Sequence, residues 1–87
     1  MYEFAFFVKS YANFTIKGYR FFFFSNENFE PIHIHIEKAD SYAKFWIDPV
    51  VVTTNYGFNS KQLKEIANCI EENKELIIQK WNEHFSQ

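Results

Sequence analysis

The chain has 87 residues, 22% of them aromatic (12 Phe, 5 Tyr, 2 Trp), and a formal net charge of −2. With a sequence pI near 5.9 it has no basic excess, which argues against tight binding of duplex nucleic acid, where phosphate neutralisation dominates. A single cysteine, Cys69, excludes an internal disulfide and a multi-cysteine zinc site, and fits a reducing compartment.

This length predicts one domain over residues 1–87, strand-rich over 1–54 and helical over 59–86. Such a chain buries about 60–65% of its unfolded surface, a modest core. A buried ring covers about 150–250 Å². The rings exceed what one small core hides, so some are expected on a surface that meets another molecule, such as a second copy of the chain. The start of the chain carries Glu3 and lacks a basic region, which does not read as a signal peptide. No stretch nears the roughly 20 apolar residues of a membrane helix. A cytoplasmic protein is the expectation.

Phe4 to Val8 reads as a first strand. Lys9 to Lys17 is mixed and fits a strand extension or a packed loop; Gly18 marks a turn. Tyr19 to Phe24 is a clear strand. Its four consecutive Phe residues put rings on both sheet faces, as in a central strand or one with a partner on its second face. Ser25 to Glu30 is a polar loop.

Pro31-Ile32-His33-Ile34-His35-Ile36-Glu37 follows. Strand side chains alternate between faces, so the isoleucines line one face and His33, His35 and Glu37 the other. Ala39-Asp40-Ser41 is a turn into Tyr42–Ile47, which pairs with the histidine strand in a hairpin and places Lys44, Trp46 and Asp48 on one side. Pro49 ends that strand. Val50 to Thr54 reads as a short edge strand or an extended packed segment, and Asn55-Tyr56-Gly57 as a turn.

Asn59 as N-cap puts Gln62 at the third helical position, a capping-box pattern, with Phe58 and Leu63 placed as a hydrophobic staple. Leu63, Ile66, Ala67, Ile70, Ile77, Ile78, Trp81 and Phe85 form an apolar stripe suited to packing on a sheet. Lys74 interrupts the stripe and Leu76 falls opposite it. Helix is therefore predicted over 60–85, bent or broken near Asn73-Lys74. Cys69, at the stripe's edge or outside it, is expected to be partly covered, and His84 to favour the helix C-terminal dipole. The fold class is α+β: a small, mainly antiparallel sheet of three to five strands, then a helix or kinked helix pair on one face.

Gly18-Tyr19-Arg20-Phe21, Pro31-Ile32-His33-Ile34-His35-Ile36, Ala43-Lys44-Phe45-Trp46-Ile47-Asp48-Pro49, Asn55-Tyr56-Gly57-Phe58 and the closing Trp81-Asn82-Glu83-His84-Phe85 occur in that order. In this order the chain resembles the bacterial domain of unknown function 4160 (DUF4160) family, over nearly all of its length from Gly18 onward. Many members of that family have a second proline where this chain has Ile32. The resemblance implies no established activity. Genes of the family often lie beside that of another small protein, which suggests one half of a toxin–antitoxin-like pair.

Two chemistries suit the histidine face. As zinc-type ligands, His33 and His35 supply two of the three or four a divalent metal needs, with Glu27, Glu30, Glu37 or Asp48 as third, at a metal-assisted hydrolase or nuclease site. As an acid–base pair in phosphodiester cleavage, they need a cation such as Arg20, Lys38 or Lys44. The leading expectation is instead a binding or interaction module of unknown biochemical activity. Its candidate face is His33, His35, Glu37, Trp46 and Arg20; its partner is a second copy or another small protein, with single-stranded nucleic acid open as a ligand.

Overall fold

The computed structural model describes residues 10–24 and 29–85, so the Phe4–Val8 strand lies outside the described residues. Five strands are present: β1 (Ser10–Ile16), β2 (Tyr19–Phe24), β3 (His33–Lys38), β4 (Ser41–Ile47) and β5 (Val50–Tyr56). They form one antiparallel sheet in the order β1-β2-β3-β4-β5, each strand beside its predecessor. Two helices follow, α1 (Ser60–Glu72) and α2 (Lys74–Phe85). The α+β architecture read from the sequence is the one observed, at the upper end of the expected strand number.

Local chemistry explains the turns. Lys17 and Gly18 have φ of 54° and 82°, and Ile16 pairs with Tyr19, giving a two-residue hairpin turn whose positive φ angles suit the twist of paired strands. β1 is thereby a true strand rather than a packed loop. The β3–β4 connection is equally short, with Lys38 opposite Ser41 and Ala39 at φ 54°. Asp48 and Pro49 join β4 to β5. Regular β3 structure starts at His33, one residue later than the alternation suggests, although the Ile32 carbonyl still accepts from the Ile47 amide at 3.2 Å.

The expected turn at Asn55-Tyr56-Gly57 is corrected. Asn55 and Tyr56 continue β5, opposite Ala43 and Tyr42, and only Gly57 leaves the ladder. Gly57 has φ 97°, and a Cβ there would lie 2.6 Å from the Ser41 hydroxyl oxygen. Glycine alone fits that close approach.

The α1 N-terminus is capped as predicted. Asn59 Oδ1 accepts from the Gln62 amide at 2.8 Å, and Gln62 Oε1 accepts from the Asn59 amide at 2.9 Å. The helix breaks at Asn73, whose side-chain amide donates to the Cys69 carbonyl at 2.8 Å. Lys74, the charge inside the apolar stripe, reaches Asp48 at 3.2 Å, and Leu76 is exposed.

The helices cover the sheet face made of Tyr19, Phe21, Phe23, Ile34, Ile36, Phe45 and Ile47, with Ile66, Ile70, Ile77 and Trp81 packed against them. Cys69 is fully buried within this layer rather than partly covered, packed in the same core cluster as Ile66 and Ile70. Burial pushes its thiol pKa up. Tyr19 packs its edge on Phe58 and donates its hydroxyl to Glu65 at 2.8 Å; burial and that bond push the phenol up to about 12.

Candidate functional site

The second sheet face is assembled by register. Phe22 pairs with His35 and His35 with Lys44, while Arg20 pairs with Glu37 and Glu37 with Tyr42. His33 faces Trp46, which in turn faces Val51. Alternation therefore gathers Arg20, Phe22, Phe24, His33, His35, Glu37, Tyr42, Lys44 and Trp46 on one surface.

This surface packs onto itself. His35 is only 2% exposed. Its ring lies between Phe22 at 5.4 Å, Phe24 at 4.5 Å and Tyr42 at 5.8 Å. Its Nδ1 is 2.6 Å from the Tyr42 hydroxyl, and Tyr42 stacks on Tyr56. Surrounding rings replace water here, and the hydrogen bond offsets burial of the polar atoms.

His33 is fully buried. Its Nδ1–H donates to the Pro31 carbonyl at 2.8 Å. It makes edge contacts with His35 at 5.2 Å, Trp46 at 5.8 Å and Trp81 of α2 at 5.0 Å. Trp81 also packs on Phe23 in the helical layer. His33 thus stands at the end of the sheet where both layers meet. The expected separation of the histidines from the helix holds for His35 and not for His33.

Charges ring the aromatic stack in pairs. Arg20 Nε donates to Glu37 at 2.8 Å with its guanidinium 4.0 Å above the Phe22 ring. Lys44 donates to Glu30 at 2.7 Å and lies 5.0 Å from the Trp46 ring centre. Glu30 approaches His33 Nδ1 no closer than 3.8 Å. Of the four carboxylates weighed as a third metal ligand, Glu30 is bonded to Lys44, Glu37 is engaged by Arg20, Asp48 by Lys74, and Glu27 lies outside the described residues. Among the described residues no three His, Cys, Asp or Glu side chains are grouped so as to hold a metal ion.

Beside His33, a cleft of about 320 Å³ opens between Pro31, Ile32, Trp46, Asp48 and Pro49. Two residues upstream of Pro31, Phe29 projects with 80% of its surface exposed. Val51, Val52 and Tyr56 on β5 are also exposed. A shallower hollow of about 500 Å³ lies along α2 between Glu75 and Glu83, away from the histidines.

Sequence reasoning missed Tyr42 and Trp81 as partners of the histidines. Tyr42 reads as a strand residue, but its role depends on the β3–β4 register, and Trp81 reads only as part of the helical stripe. The signal for Tyr42 was its spacing of seven residues from His35 across a two-residue turn.

A five-stranded antiparallel meander with a helix pair on one face and a closed aromatic–histidine cluster on the other defines the class of protein. The chain belongs to the family described as domain of unknown function (DUF4160), which matches residues 18–82. That span runs from the β1–β2 turn to the last turns of α2 and contains both histidines, Trp46 and Trp81. No curated protein and no solved structure matches the chain. Among the described residues no helix is long and apolar enough to cross a membrane.

Proposed function

We propose that the chain is a small cytoplasmic interaction module, one half of a toxin–antitoxin-like gene pair in a bacterial cell, that binds a protein partner along Trp46 and the β5 edge. The observation that supports this reading is the contrast in exposure across one face. Both imidazoles are closed off, at 0% and 2% exposure, with each Nδ1 held in a hydrogen bond, whereas apolar side chains project on the same face at Val51 and Tyr56, opposite Trp46 and Tyr42. A nucleophile, base or metal ligand needs access to its substrate; a packing residue does not. β5 also has β4 on one side and, among the described residues, no strand on the other. It carries neither charge nor proline, the devices that discourage strand pairing. Its open backbone groups suit an added strand of another protein.

The test is co-purification with the product of the neighbouring gene. The expected result is a complex of fixed stoichiometry that is lost when Val51 and Val52 are both changed to Lys. An intact complex in that double variant contradicts the reading. So does RNA or DNA cleavage that disappears in His33→Ala plus His35→Ala, the outcome a hydrolase with zinc at this pair requires.

A further inference from the structure

Four rings, one from each of β2 to β5, form a single stack across the sheet. Phe22 stacks on His35 at 5.4 Å, His35 on Tyr42 at 5.8 Å, and Tyr42 on Tyr56 at 6.3 Å. Successive ring planes differ by only 27°, 21° and 24°. We infer that the partner strand added at β5 carries an aromatic side chain beside Tyr56, which becomes the next ring of this stack. This rests on the reading of β5 as the edge that takes up a protein partner, and adds the chemistry by which that partner is recognised.

The two ends of the stack differ. At the β2 end the Arg20 guanidinium lies 4.0 Å over Phe22 and is fixed by Glu37 at 2.8 Å. At the β5 end Tyr56 is 68% exposed, and Tyr42 is its one ring contact among the described residues. A ring stacked on one side only leaves its second face in water, and covering that face is favourable.

The backbone brings the next residue close. The Ile47 amide bonds the Ile32 carbonyl on the β3 side. Hydrogen-bonding direction alternates along a strand, so Tyr42 directs its amide and carbonyl to β5, where Tyr56 lies opposite. Tyr56 therefore bonds inward. The residue that an added antiparallel strand sets opposite it falls in a non-hydrogen-bonded pair, the arrangement with the shorter Cα separation of about 4.5 Å. Side chains touch directly across such a pair. β5 carries no charge, so selection at this edge falls to ring contact rather than to ion pairing. An aliphatic side chain at the same place also covers Tyr56 but lacks the stacking contribution, worth about threefold to tenfold in affinity.

Titration of the full chain with synthetic strand peptides tests this, read from the Tyr56 ring signals in NMR spectra. One peptide alternates Thr and Val with Tyr at its centre; the other has Leu there. The expected result is that the Tyr peptide binds about threefold to tenfold tighter than the Leu peptide and moves the Tyr56 ring signals upfield. Tyr56→Phe keeps that preference, and Tyr56→Ser, at a site too exposed to unfold the chain, binds both peptides equally. Equal affinity of the unchanged protein for the two peptides overturns the inference and leaves the interaction-module reading standing. A preference that survives in Tyr56→Ser does the same. Binding of neither peptide overturns it as well, while co-purification with the neighbouring-gene product still decides the broader reading. Adenosine shifting the Tyr56 ring where the peptides do not assigns the open end of the stack to a nucleobase, and that too overturns it.

Discussion

His35 shows how far a single side chain can be understood from its surroundings. Its ring fills a slot between Phe22, Phe24 and Tyr42, and its Nδ1 is in a short hydrogen bond with the Tyr42 hydroxyl. Replacing it with Phe keeps the stack and loses that bond, a cost of about 1 kcal/mol, whereas His35→Ala empties the slot at about 2–4 kcal/mol. Urea unfolding distinguishes the two, and equal losses would show that stacking is not what holds this residue. Tyr19 supplies a pH test. Its folded phenol is raised to about 12 from an ordinary value of 10, so folding favours the neutral form. That contribution is complete below pH 10 and is lost as pH rises toward 12, where the unfolded chain ionises first. The buried Cys69 thiol, also raised, adds a loss of the same sign. Alkaline unfolding of Tyr19→Phe should therefore be shallower than that of the unchanged protein. The alternation placing His33, His35 and Glu37 together was legible in the sequence. Their burial was not, because Tyr42, Phe24 and Trp81 reach them from other elements.

At the level of elements, the strands and both helices follow from short-range rules, and the departures have local causes. Pro49 stops β4 as expected, yet β5 is longer than its β-branched run, because Asn55 and Tyr56 pair with Ala43 and Tyr42. Asn55 does two jobs there: it continues the ladder, and its side chain bonds both the Phe58 amide and the Phe58 carbonyl, tying β5 to the start of α1. The turn composition of Asn55-Tyr56-Gly57 is realised only at Gly57. Gly57→Ala should cost at least about 1–2 kcal/mol, from φ of 97° and the contact with Ser41, measurable as a fall in melting temperature. If the variant is as stable as the original, the Ser41 approach does not constrain this turn. The helix breaks at Asn73, as the sequence predicts, with Asn73 bonded to the Cys69 carbonyl and Lys74 to Asp48.

Across the whole molecule, the sheet separates two kinds of packing. One face is covered by helices and is aliphatic and aromatic; the other is covered by its own rings and by paired charges. Among the described residues the second cluster takes in Phe22, Phe24, Tyr42 and Trp46, and Phe29 and Tyr56 are the exposed large rings. The order of elements and the sheet-plus-helix class could be read from hydrophobic period alone. Which part of the histidine face is accessible could not, since it depends on how strands side by side cover one another. The surface we propose for recognition is therefore Trp46 and β5, not the imidazoles. Backbone amide shifts of the labelled chain, recorded as the neighbouring-gene product is added, test this most directly. Changes centred on Trp46 and Val50–Tyr56, with the outward side of α2 silent, are the predicted result. Changes confined to the helices, or a spectrum that responds at His33 and His35 to zinc and not to the protein, would contradict it.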